Sequence, residues 1–123
     1  MRVYCSGPMT GKPDLNRPAF DAAEKRLTAQ GHFVINPHRI SELFGTAKEL
    51  KKSFVALYGE TPFGGSGYSP KLARAVMDAD LAAVRSCDAI YLLRGWENSR
   101  GAKKELAEAI KYGLEVRQEG GEE

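Results

Sequence analysis

The stretch Asp88-Ala89-Ile90-Tyr91-Leu92-Leu93-Arg94-Gly95-Trp96-Glu97-Asn98-Ser99-Arg100-Gly101-Ala102-Lys103-Lys104-Glu105 reads as a buried strand that ends in a loop and opens a helix. Ala89 to Leu93 is apolar at every position, as expected of a central strand covered by helices on both faces. In open α/β sheets ligands settle beyond the carboxyl ends of the strands, where a helix N-terminus offers free N–H groups and the positive end of a dipole. Ser99 has the chemistry of an N-cap whose hydroxyl can also meet a phosphate, and Glu105 falls within the first two turns of that helix. The expectation is an anion and a carboxylate sharing one pocket.

Working outward, Arg2 to Cys5 is a short run of β-formers, followed by the turn-forming loop Ser6-Gly7-Pro8-Met9-Thr10-Gly11. Asn16 is placed to cap a helix with Pro18 in its first turn, Phe20, Ala23 and Leu27 lie at helical spacing, and Gly31 closes it. His32 to Ile35 is a second strand stopped by Asn36-Pro37, with a short helical piece from about Arg39 to Phe44. Ser69-Pro70 opens a helix from Lys71 to about Ser86 that buries Leu72, Val76, Ala79 and Ala83. The last helix spans about Arg100 to Tyr112 with Ala102, Leu106, Ala109 and Ile110 on its apolar stripe; Gly113 stops it and Leu114 to Arg117 forms a fourth strand.

This alternation predicts a single doubly wound α/β domain, flavodoxin-like or Rossmann-like, with a mostly parallel four- or five-stranded sheet in an order near 2-1-3-4. The domain is expected over residues 1–117, with a variable insertion at 45–69 and a flexible tail at 118–123. Gly59 to Ser69 carries four glycines, Pro62 and the aromatics Phe63 and Tyr68, and reads either as a loop over a site or as a plain surface insertion.

The totals narrow the function classes. A chain of 123 residues that is 42% apolar has material for one core. Its net charge of +2 comes from 18 basic and 16 acidic residues spread along the chain, so no basic stripe favours nucleic acid, and small-molecule partners fit better. No apolar run approaches the roughly 20 residues of a membrane helix, and Met1-Arg2 leads straight into a strand, so the expected location is cytoplasmic. Cys5 and Cys87 lie beside core strands and read as buried thiols. His32 and His38 lack partners at metal-ligand spacing, so neither a metal nor a cofactor is expected.

On a helical wheel Glu105 lies roughly 40° from Ala109 and 60° from Ala102, at the margin of the buried stripe. Partial burial there would raise its pKa and sharpen it as a nucleophile; the alternative is a surface glutamate paired with Lys104 or Lys111. Asp80, four residues after Val76, faces inward with it or decorates a solvated face together with Asp78. Two converging carboxyls divide the labour of splitting a glycosidic bond, one attacking while the other donates a proton. Asp88 belongs to the helix–strand turn. Gly7 to Gly11 matches neither a dinucleotide fingerprint nor a Walker loop, yet its glycines admit a ligand to the backbone, with Ser6 and Thr10 adding hydroxyls; a tight structural turn explains it equally. Tyr4 reaches a carboxylate through its hydroxyl or is plain core, and Trp96 stacks on a base or only packs.

Tyr4-Cys5-Ser6-Gly7-Pro8-Met9-Thr10-Gly11, Asn36-Pro37, Asp80-Leu81 and Cys87 to Glu105 resemble the nucleoside 2-deoxyribosyltransferase-like superfamily, over most of the chain except Gly45 to Ser69. Within it, the phrases around Gly7 and Trp96 are most similar to an uncharacterised branch of small domains. The resemblance implies that Glu105 attacks the anomeric carbon of a 2-deoxynucleoside, that Asp80 assists departure of the base, and that Tyr4 orients the glutamate. It also implies that Ser99, where relatives acting on free nucleosides carry a carboxylate, seats a 5′-phosphate together with Gly101 and the loop residues Gly7, Met9, Thr10 and Gly11, while Trp96 meets the base. The expected activity is N-glycosidic cleavage of 2′-deoxynucleoside 5′-monophosphates, as hydrolase or transferase, with a nucleotide-binding sensor as the alternative. Two features depart from the hydrolase pattern: Lys103-Lys104 precede the glutamate, and Pro8 has no N–H to give a phosphate. The resemblance further implies a homodimer or larger assembly, with Tyr58, Phe63 or Tyr68 as partner contacts.

Overall fold

The computed structural model describes residues 1–9, 11–42 and 70–120. Strands β1 (Arg2–Ser6), β2 (Phe33–Ile35), β3 (Ala89–Leu92) and β4 (Glu115–Gln118) form one sheet in the order β2-β1-β3-β4, with every neighbouring pair parallel. Parallel pairing requires crossovers, and these contain α1 (Arg17–Ala29), α2 (Pro37–Ser41), α3 (Pro70–Arg85) and α4 (Arg100–Lys111).

Strand periodicity splits the core in two. Val3 and Cys5 of β1 join Ala89, Tyr91 and Leu93 under Phe20, Ala23 and Leu27 of α1. Tyr4 joins Ile90 and Leu92 on the opposite face, with Val84, Cys87 and Ala109 from the α3 and α4 side. Each fully buried Phe or Leu contributes about 1.5–3 kcal/mol. Helices thus cover both faces, and the fold is doubly wound and flavodoxin-like. The chain leaves β1 toward one face and β3 toward the other, so the divergence beyond Ser6 and Leu93 is the switch point where such folds bind ligands. These strand ends are pinned: Leu93 N–H donates to the Ser6 carbonyl at 2.8 Å, and a Cβ on Gly7 would stand 2.7 Å from Leu93 Cβ.

Several local expectations are corrected. The short helix begins at Pro37, earlier than the Arg39 expected, because the Asn36 side chain caps it by accepting the His38 N–H at 3.0 Å. Asn16 precedes α1 in a left-handed conformation (φ +61°) and makes no side-chain cap bond; it ends a run of three left-handed residues with Asp14 and Leu15. In α3 the buried positions are Val76, Asp80 and Val84, while Ala79 and Ala83 are half-buried; the Leu72 side chain lies outside the described residues. In α4 the stripe rotates toward Ala102, Glu105 and Ala109, leaving Ile110 63% exposed. β4 extends through Gln118, and the Glu119 carboxylate is held by Arg26 at 3.0 Å and by the Arg94 N–H at 3.1 Å. Residues 43–69, and with them nearly all of the expected short helix's end and the whole insertion, lie outside the described residues, as do Thr10, Tyr58, Phe63 and Tyr68.

Candidate active site

The site grows from three element faces. Alternation along β1 sends Tyr4 and Ser6 to the α3/α4 side, Ala102, Glu105 and Ala109 form the inner face of α4, and Val76, Asp80 and Val84 form that of α3. Each apolar pair brackets one carboxylate and carries it under the sheet. Tyr4 donates its phenolic O–H to Glu105 Oε2 at 2.8 Å, and Ser6 donates its hydroxyl to Glu105 Oε1 at 2.5 Å. Asp80 is equally buried, and its Oδ1 has no hydrogen-bond partner among the described residues.

Burial disfavours the ionised form of both acids. It pushes Glu105 up to about 7, against the opposing pull of the Ser6 and Tyr4 hydroxyls. It pushes Asp80 up to about 8, and the charge of Glu105 acts in the same direction. The Tyr4 phenol is raised well above its ordinary range by burial and by Glu105, so it remains a donor at any working pH. Burial and the repulsion between two like charges both favour a single negative charge on the pair, and the two hydroxyls aimed at Glu105 favour placing it there.

Of the residues singled out from sequence, Glu105, Asp80 and Tyr4 come together in this cluster. Ser99 caps α4, its Oγ accepting the Ala102 N–H at 3.1 Å, and keeps its own O–H free of that bond. Gly101 packs against α3, where an added Cβ would meet Met77 Cε at 3.3 Å. Gly7 serves the close approach to Leu93, and Gly11 takes a left-handed φ of +82° in open space. Met9 packs half-buried against the α1-side core, and Trp96 packs half-buried against the cluster that contains Tyr4. Asp88 accepts the Arg2 N–H at 2.8 Å and takes no part in the site. Ser6 differs most from its expected place. Its hydroxyl addresses Glu105 instead of a ligand in the loop, and the signal for this is its spacing of two from Tyr4 on a strand. Among the described residues no group of three or more His, Cys, Asp or Glu is arranged to hold a metal ion. None of the helices described is long and apolar enough to cross a membrane.

The architecture matches a solved structure. A 2-deoxyribosyltransferase from the psychrotolerant bacterium Bacillus psychrosaccharolyticus superposes with a TM-score of 0.58 at 19% identity, over 96% of this chain and 71% of that one. No curated protein matches the sequence. The family model whose description is "Domain of unknown function (DUF4406)" matches residues 1–57 and 68–118, and the chain belongs to that family.

Proposed function

We propose that this protein cleaves the N-glycosidic bond of 2′-deoxynucleoside 5′-monophosphates. The observation that carries the proposal is the buried pair itself: Glu105 oriented by hydroxyls on both oxygens, next to an Asp80 that favours its protonated form. The fold shared with a 2-deoxyribosyltransferase supports a place in that superfamily.

In the first step a Glu105 carboxylate oxygen attacks C1′ of the deoxyribose and forms an ester. The C1′–N bond breaks with its electron pair passing to the base, and the Asp80 proton follows it. In the second step water attacks C1′, the ester C–O pair returns to Glu105, and the water proton goes to Asp80. A second base in place of water makes the reaction a transfer. Ser99, whose O–H is not used by its cap bond at the amino end of α4, and Gly101 beside it receive the 5′-phosphate, with Gly7, Met9 and Gly11 alongside; Trp96 flanks the base.

Incubating the protein with each deoxynucleoside monophosphate and following free base by chromatography tests the reading, with Glu105→Ala as control. Base release lost in the variant is the expected result; tight binding without release makes the protein a nucleotide sensor instead. The required protonation states coexist only between the two acids, so kcat/KM should follow a narrow bell. Its two limbs are the two titration steps of the pair, both lying above the ordinary carboxylate range because burial disfavours ionisation of each acid. A flat profile across pH 6–9 would contradict the acid–base assignment.

A further inference from the structure

Glu105 and Asp80 are both buried carboxyls, and nothing in their own chemistry decides which of them carries the charge. Their surroundings do. Glu105 receives two hydroxyl donors, one on each oxygen, whereas Asp80 Oδ1 receives none among the described residues. A donor aimed at a carboxylate stabilises the ionised form, and a buried oxygen without one is destabilised by ionisation.

Of the two donors Ser6 is the closer, at 2.5 Å against 2.8 Å for Tyr4. It is also firmly placed. Its backbone pairs with β3 opposite Leu92, its carbonyl accepts the Leu93 N–H at 2.8 Å, and Gly7 beside it admits Leu93 to a distance that any Cβ would obstruct. The hydroxyl therefore sits on a rigid strand end and points at one carboxylate oxygen.

We propose that Ser6 is a positioning residue for Glu105: its hydroxyl, two residues along β1 from Tyr4, supplies the second donor that makes Glu105 and not Asp80 the anionic member of the buried pair. The two acids are alike in kind and in burial, so the hydrogen bonds that one receives and the other lacks set which of them ionises first. Without Ser6 only Tyr4 remains on Glu105, so Glu105 keeps its proton to higher pH and the preference for placing the charge there and not on Asp80 narrows. In its catalytic consequence this inference rests on the reading of Glu105 as the nucleophile; the placement of the charge does not.

Carboxyl-carbon NMR titration of the full-length protein, labelled at Glu and Asp, reads the pair directly. In Ser6→Ala the Glu105 step should move up by about one unit or more, a tenfold change in its ionisation, while the Asp80 step moves down. Ser6→Thr and Ser6→Val form a volume-matched pair suited to a strand, one with the hydroxyl and one without, and the same displacement is expected between them. For base release, kcat/KM should fall at least tenfold near neutral pH, with the acid limb shifted up and KM little changed, and Ser6→Thr should recover most of the loss. An unchanged Glu105 titration in both hydroxyl-free variants overturns the proposal, even where the wild type releases base. A wild type that releases no base defeats the glycosidase reading and leaves the titration to decide the role of Ser6.

Discussion

Two polar clusters in this small domain are buried to a similar depth and built on opposite principles. At the end of β2, Asn36 is almost fully buried, and every polar group of its side chain is used. Its Nδ2 donates to Asp21 Oδ1 at 2.9 Å and Glu24 Oε1 at 3.1 Å, and its Oδ1 accepts the His38 N–H at 3.0 Å. Glu24 also takes a two-pronged Arg39 at 3.1 Å for each contact. The buried member is neutral, and the charged members pair with opposite charge at the surface. Under α3 and α4 the buried members are two like acids, and one oxygen of Asp80 has no partner among the described residues. Folding alone rewards the first arrangement. The second costs stability at neutral pH, and such imbalance concentrates where chemistry is done.

The largest expected effect tests that cost. Glu105 binds its proton more tightly in the folded state, since its folded value of about 7 lies above the ordinary glutamate range. Stability from this group is therefore fully present below about pH 4.5, falls as pH rises, and is gone once the folded group has ionised above 7. Glu105→Gln keeps the shape and removes the charge. It should be more stable than wild type by about 3 kcal/mol at pH 9 and within about 1 kcal/mol of it at pH 4, by urea denaturation at both pH values. A difference that does not grow with pH would show that the pair is not desolvated.

The neutral cluster should respond through lost hydrogen bonds, without pH dependence across the neutral range. Asn36→Ala removes the cap of α2 and the two donors to Asp21 and Glu24, which stay in reach of water, so about 1–2 kcal/mol is expected. Denaturation at pH 6 and pH 8 should give the same loss. A loss that differed between them would show that His38, buried beside Asn36 with its pKa lowered by burial, titrates with this network.

Much of this frame is legible in the sequence. The unbroken apolar run from Ala89 to Leu93 marks the central strand, because burial on both faces leaves no polar position in it, and Gly31 and Gly113 mark the ends of the helices before β2 and β4. Helix rotation is less legible. Ile110 looks like core and is exposed, while Glu105 looks marginal and is central, because small residues at Ala102 and Ala109 let α4 roll toward the sheet. The Ser6 contact is harder still to read. It joins residues 99 positions apart, and its hydroxyl has an equally reasonable local use in the glycine loop. The cap at Asn36 wins over the expected later helix start for a local reason, a side-chain acceptor that needs no tertiary partner.

The smallest effect sharpens the contrast from the surface side. Arg39 makes the best-looking ion pair of the neutral cluster, with two contacts of 3.1 Å to Glu24, yet its side chain is 60% exposed. Water at that exposure screens the attraction, and ordering a long side chain offsets much of what remains. Arg39→Ala should therefore cost no more than about 0.5 kcal/mol, and less in high salt, with Glu24 still held by Asn36. A loss of several times that size would place the strength of this cluster in its charges and not in its buried amide. The contrast between the two clusters would then rest on the sign of their buried groups alone, since His38 Nε2 beside Asn36 and Asp80 Oδ1 both lack a hydrogen-bond partner among the described residues.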